Sequence, residues 1–148
     1  MSARPPITTL ALTALLLAAC GAPQTEGPAP EGSGIETRDG AIILSGRALD
    51  DGQGSLLGTM RGKVPNFRIQ RSSDHPCPMI SLRSHVTFET LVEPHVYVDG
   101  TRATDTCILE SLRSEDVESV EIYPMGVTKR PGYGTHAHGL ILVFMRTE

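Results

Sequence analysis

The sequence predicts an α+β domain, a small mixed β-sheet with two or three short helices. Three observations carry that reading. Short β-type runs alternate along the chain with short stretches that bear helix-start signals. The run His95-Val96-Tyr97-Val98 ends in Asp99-Gly100, a strong tight-turn signal. Leu140 to Met145 is apolar at every position, as expected of a central strand covered on both faces.

The elements follow in order. Ala41-Ile42-Ile43-Leu44-Ser45 is a short apolar run and reads as a strand. Asp50-Asp51-Gly52-Gln53-Gly54 reads as a loop. Ser55 is a candidate N-cap for a helix carrying Leu56, Leu57 and Met60, which Gly62 and Pro65 stop. Phe67-Arg68-Ile69-Gln70 alternates as a strand, and residues 71–78 read as turn. Met79 to Arg83 begins another strand. Thr104, Asp105 and Thr106 are candidate caps for a short helix with Ile108, Leu109 and Leu112. Ser114-Glu115-Asp116 reads as a second helix start, its acids suited to the dipole. Residues 117–123 then alternate, with Val120 and Ile122 on one face and Glu121 and Tyr123 on the other. A Gly/Pro-rich loop, 124–139, leads into the last strand. No internal repeat is evident.

The N-terminus reads differently. Arg4 is the only charge among residues 1–19, and residues 7–19 are apolar or small. A run of about 13 residues suits a signal-peptide core and is too short to span a bilayer. It ends in Leu17-Ala18-Ala19-Cys20, which resembles the lipobox of bacterial lipoproteins. That resemblance implies a signal peptide over 1–19, cleavage before Cys20, and lipid (diacylglycerol and palmitate) on Cys20. An ordinary secretory signal with an incidental cysteine is the alternative. Residues 21–34 hold nothing aliphatic larger than Ala and no aromatic, so they cannot bury enough apolar surface to offset ordering entropy. The expected organisation is a flexible linker over 20–36 and one domain over 37–148. Gly21 stands where an Asp would mark inner-membrane retention, which favours the outer membrane, facing the periplasm.

Loss of Arg4 leaves 12 cations against 17 anions, a net charge of −5. A mildly acidic domain with no clustered basic stretch argues against nucleic acid as a partner. With Cys20 lipidated, Cys77 and Cys107 remain. An oxidising envelope predicts a disulfide closing a loop of about 30 residues and contributing about 3–4 kcal/mol. Two metal-binding or reactive thiols are the alternative, though no C-x-x-C spacing supports it.

Four blocks carry a family resemblance. Ser55 to Phe67 resembles the first helix and strand of the plug domain of TonB-dependent outer-membrane receptors. Pro94 to Gly100 resembles that family's central strand and turn. Leu109 to Ile122 resembles its helix-then-strand segment, and Tyr133 to Val143 its tyrosine-glycine turn and final strand. The blocks occur in family order over about 55–148. The resemblance implies a plug-like fold, not a catalyst. A receptor's barrel of about 22 strands, at about 9–11 residues each, needs on the order of 200 residues beyond the plug. No convincing energy-coupling box stands in the linker. The expectation is therefore a stand-alone plug-like module whose lipid anchor replaces the barrel as its means of attachment. The membrane, and a separate outer-membrane receptor or another envelope protein, are its expected partners.

Candidate chemistry is sparse. His136 and His138 are two apart, a spacing that shares one face of a strand and could hold a metal or small ligand. They lie in the turn before the last strand, and neither His75, His85 nor His95 can be named as a third ligand; exposed polar turn residues are the other reading. Glu89 and Glu93 near Pro94, and Asp50-Asp51, read as surface charge. No Gly-x-Ser-x-Gly elbow occurs. Lys129-Arg130-Pro131-Gly132-Tyr133 gathers cations and an aromatic in one loop, suited to a partner or ligand or simply to solvent. No cofactor and no enzymatic activity are expected. The leading expectation is a binding or interaction module of the outer membrane and periplasm, accessory to uptake, with the 124–139 loop and the edge strands as its contact surfaces. The alternative is a metal- or small-ligand-binding envelope lipoprotein using His136 and His138.

Overall fold

The structure, a computed structural model, describes residues 34–52, 54–83 and 93–147. The expected signal peptide, Cys20, the expected linker up to residue 33, His85 and Glu89 lie outside the described residues. The fold is α+β: a six-stranded mixed sheet, a two-stranded sheet and three short helices. No helix among the described residues is long and apolar enough to cross a membrane.

The chain opens with a hairpin, β1 (Ile35–Arg38) and β2 (Ala41–Ser45). Its turn is Asp39-Gly40, with φ of 52° and 77°. Two consecutive positive-φ residues make the kind of turn whose twist matches that of the flanking strands. The same Asp-Gly chemistry recurs at Asp99-Gly100 (φ 46° and 82°), between β5 (His95–Val98) and β6 (Thr101–Arg102). Only the second turn is anticipated above. The first carries the same signal and brings Ile35 and Glu36 into a strand.

The large sheet runs β1-β2-β7-β8-β5-β6, with β7 Val117–Tyr123 and β8 Leu140–Met145. All its pairings are antiparallel except β5 with β8. β8 lies between two partners, and Leu140 to Val143 are at most 1% exposed. Its two-sided apolarity therefore means what it was read to mean.

One face of the sheet carries the main core. Leu44, Val120, Ile122, Ile141 and Val143 project to that side. They meet Leu49 of α1 (Arg47–Asp50), Leu56 and Met60 of α2 (Leu56–Lys63), and Leu109 of α3 (Ile108–Ser111). α2 begins as its sequence dictates, with the Ser55 hydroxyl accepting a bond from the Gly58 N–H at 3.3 Å. Its end falls at Val64, just before Pro65. α1 is unanticipated, because four residues carry too little periodicity to show. Ser114 begins a single 3-10 turn, Ser114–Asp116. Its hydroxyl donates to the Gly52 carbonyl instead of capping that turn.

Residues 71–78 correct the expectation of a long turn. β3 (Arg68–Ser72) and β4 (His75–Ser81) form a hairpin whose turn is only Ser73-Asp74. Pro76 and Pro78 suggest loop, yet both strands of a two-stranded sheet are edges, where proline is tolerated. The Cys77–Cys107 disulfide, with Cα atoms 4.8 Å apart, ties this hairpin to the start of α3. The Thr106 hydroxyl reinforces the joint by donating to the Pro78 carbonyl at 2.6 Å.

Candidate functional site

The second face of the sheet is covered by a loop instead of helices. Ala41, Tyr123, Leu140 and Leu142 form a small buried cluster there, packed by Ile43, Tyr97, Tyr133 and Phe144. Residues 124–139 lie over it. Gly126 and Gly139 let the loop close on itself. The His136 N–H donates to the Gly126 carbonyl, and the Gly139 N–H to the His136 carbonyl. A Cβ on Gly126 would collide with the His136 carbonyl oxygen.

Three sets of contacts pin this loop to the sheet. Arg130 is the first. Its guanidinium forks onto Glu121, Nε donating to Oε2 at 2.7 Å and the second nitrogen to Oε1. The same cation lies over the Phe144 ring, 4.8 Å from its centroid. The Tyr123 hydroxyl adds a third bond to the Glu121 carboxylate at 2.8 Å. Glu121 is only 4% exposed. Burial by itself would raise its pKa, but the bonds from Arg130 and Tyr123 and the charge of Arg130 outweigh it and hold the carboxyl below its ordinary value. Burial and the neighbouring Glu121 push the Tyr123 phenol up. The expected alternation of β7 is observed, but the Glu121 side is not a solvent face. Lys129 supplies an outer contact, its Nζ donating to Asp39 at 2.6 Å beside the first hairpin turn.

Tyr133 and the histidines make the other two sets. Tyr133 meets Tyr97 edge-on, ring centroids 5.0 Å apart. His136 stacks on His95 with centroids 3.5 Å apart, and Arg102 approaches His95 Nε2 at 2.7 Å. A guanidinium has donors only, so His95 Nε2 must accept and its proton sits on Nδ1. His136 Nδ1 lies 3.3 Å from the Gly139 carbonyl, which only accepts, so that nitrogen carries the proton. The acceptor role of Nε2 makes the His95 ring neutral. Burial, then His136, then Arg102 lower the His95 pKa.

The sequence-named residues thus divide. Lys129, Arg130, Tyr133 and His136 are brought to one loop and each is engaged with the sheet. His138 lies 5.6 Å from His136 with its ring tilted. Cys77 and Cys107 lie across the sheet on the helix side, joined to each other. Among the described residues, the one gathering of three potential metal ligands is Cys77, Asp105 and Cys107, whose sulfurs are already bonded together. Asp50 pairs with Arg146, and Glu93 accepts from the Thr106 hydroxyl at 3.2 Å. His75 is exposed at the start of β4. Sequence reasoning missed Glu121 and Arg102. An acid flanked by Val120 and Ile122 in β7, nine residues before a loop arginine, was the available signal for Glu121.

No protein-family model matches the chain, and no curated protein matches it. Solved structures do match. The RagAB peptide importer in its "closed-closed" state aligns with a TM-score of 0.53 at 16% identity, over 72% of this chain and 12% of that one. The "open-open" state of the same importer gives 0.50 at 15% identity, with the same coverage. What is shared is the fold. The chain spans about an eighth of the importer chain it matches.

That likeness agrees with the plug-like fold implied by the four sequence blocks. It places no ligand. The loop face does have one feature that points outward. Met125 and Val127 are 69% and 60% exposed, the large hydrophobic residues left uncovered among the described residues. Both flank Gly126, whose N–H donates to the Tyr123 carbonyl and whose carbonyl accepts from His136.

Proposed function

We propose that the chain is a non-enzymatic, plug-like interaction module of the bacterial cell envelope. It is held by lipid on Cys20 at the outer membrane, faces the periplasm, and acts as an accessory to uptake through contact with a separate outer-membrane receptor. The fold shared with a segment of a peptide importer chain is the observation that carries this reading. The pinned loop supports it further. Two exposed apolar side chains on a preorganised loop lose little freedom on docking, which favours contact with a protein partner.

The reading is tested by photo-crosslinking in cells from positions 125 and 127. A crosslinked outer-membrane barrel protein is the expected product, with the chain in the membrane fraction and Cys20→Ser releasing it. Recovery of the wild-type chain in the soluble periplasm with no crosslinked envelope protein would overturn it.

A further inference from the structure

His95, at the start of β5, touches both a cation and the 124–139 loop. Its Nε2 stands 2.7 Å from the Arg102 guanidinium of β6. Its ring faces His136 with centroids 3.5 Å apart and planes 20° apart. Its N–H donates to the Gly139 carbonyl at 3.1 Å. The 136–139 end of the loop therefore rests on His95 by both backbone and ring. From there the contacts run outward. The His136 N–H donates to the Gly126 carbonyl at 2.9 Å. Gly126 is buried, and Met125 and Val127 stand exposed on either side of it. The seat of His136 on His95 thus helps to place the apolar pair.

The Arg102 contact exists only while Nε2 is unprotonated, because a guanidinium offers no acceptor. One proton there turns an acceptor into a second donor and sets two positive charges at hydrogen-bond distance. The groups that face His95 mostly add to that charge. β6 presents Arg102, the loop presents His136 and His138, and β8 presents Leu140. Glu93 and Asp105 line the same cleft. Glu93 accepts from the Thr106 hydroxyl, and Asp105 from the Cys107 N–H and the Thr104 hydroxyl. Among the described residues neither carboxylate pairs with His95 or Arg102. Burial, then His136, then Arg102 hold the His95 pKa below its ordinary 6.5. By linkage, an arrangement that binds a proton poorly is opened by that proton.

We infer that His95 is a proton-sensitive latch for the loop: in mild acid its protonation breaks the Arg102 contact and the stack on His136, and residues 136–139 lift from β5 and release Gly126 while the sheet stays folded. Arg130 stays on Glu121 in mild acid, because that carboxyl titrates below its ordinary 4.5. Opening is therefore confined to the 136–139 end. The surface around Met125 and Val127 loses its preorganisation and docks less well. That last consequence rests on the interaction-module reading; the latch itself does not.

The test is hydrogen exchange by NMR on the isotope-labelled chain at pH 7.5 and pH 5.0, read as protection factors so that the intrinsic pH dependence of exchange cancels. Protection of the His136 and Gly139 amides should fall about tenfold, an ordinary size for coupling between two sites, with amides inside β8 unchanged. His95→Phe keeps a ring under His136 and has no proton to take up, so its protection should stay level. His136→Phe keeps both the stack and His95, and should still show the fall. Arg102→Gln should show a smaller fall, because its amide can donate to the neutral ring or accept from the protonated one. In cells, crosslinking from position 127 should be weaker at pH 5.5 than at pH 7.5, and equal at both in His95→Phe. Level protection in the wild type or in His136→Phe, an undiminished fall in His95→Phe or Arg102→Gln, or a fall in step with β8 would each overturn the latch. Equal crosslinking of the wild type at both pH values while the loop opens would overturn its link to docking. The exchange experiment uses the chain alone, so absence of any crosslink at neutral pH would sink the interaction-module reading and leave the latch standing.

Discussion

The two faces of the central sheet solve the same problem with different physics. The helix face buries Leu44, Ile122, Ile141 and Val143 against leucines and a methionine from three helices, a core built of apolar contact. The loop face buries a smaller apolar cluster and then closes it with a forked ion pair, an edge-on tyrosine pair and a histidine stack. Apolar burial is non-directional and insensitive to pH. A carboxylate–guanidinium fork and a histidine stack are directional, and the Glu121 carboxyl and the His95 ring both depend on protonation. The loop face is thus the part whose order can be tuned without unfolding the rest.

That contrast can be broken most forcefully on the helix face. Leu44→Ala removes a fully buried side chain and should cost about 3–4 kcal/mol in a urea unfolding experiment. A cost under about 1 kcal/mol would mean that this core is not close-packed. Replacing both Cys77 and Cys107 with Ser comes next, at about 3 kcal/mol, because the 30-residue separation of the pair restricts the unfolded chain.

On the loop face the effects should be smaller and more local. Arg130→Ala leaves the Glu121 carboxylate buried without its cation. Arg130 is half-exposed, so solvent softens the penalty to about 1–3 kcal/mol. Adding Glu121→Gln should recover part of that loss, and hydrogen exchange at the Gly126 and His136 amides should show the loop opening before the core. Equal exchange in both variants and the wild type would remove the pin from the account.

Acid offers the finest distinction. The folded-state pKa of His95 lies below its ordinary 6.5, so the unfolded chain takes up that proton first. Its contribution to stability is present above pH 6.5 and is lost as pH falls below it. A protonated His95 would direct Nε2–H at Arg102 and place its charge against His136, with His138, Glu93 and Asp105 the other titratable groups around this corner. Glu121 acts lower. Its depressed pKa gives stability above its ordinary 4.5 that disappears as pH falls through the folded value. Urea midpoints measured from pH 8 to pH 2 should therefore decline in two stages. His95→Phe, which keeps a ring for His136 to stack on, should flatten the first stage alone. A wild-type profile level down to pH 5 would contradict the contribution of His95.

Much of the fold is legible in the chain because its signals are local. Ser55 and the stop at Gly62-Lys63-Val64-Pro65 set the ends of α2, and Asp99-Gly100 sets the turn between β5 and β6. The apolar run at Leu140 needs only its own composition to announce a central strand. The β3–β4 hairpin was partly hidden because Pro76 and Pro78 carry a loop signal that an edge strand can ignore. The candidate site was legible as a list of residues, not as an arrangement. Lys129, Arg130, Tyr133 and His136 could be picked out of one loop, but their partners Asp39, Glu121, Tyr97 and His95 lie on three other segments.

The sequence by itself determined the class of the fold, the strand at the sheet's centre and the two cysteines available for pairing. Each depends on neighbours in the chain or on simple elimination. Only the tertiary structure decided that Glu121 is a buried anchor and not a solvated acid, that His136 stacks on His95, and that Gln70 Oε1 lacks a donor. The reason is physical. Whether a polar group is hydrated, paired or orphaned depends on what packs against it from distant parts of the chain, and periodicity along one strand carries no record of that.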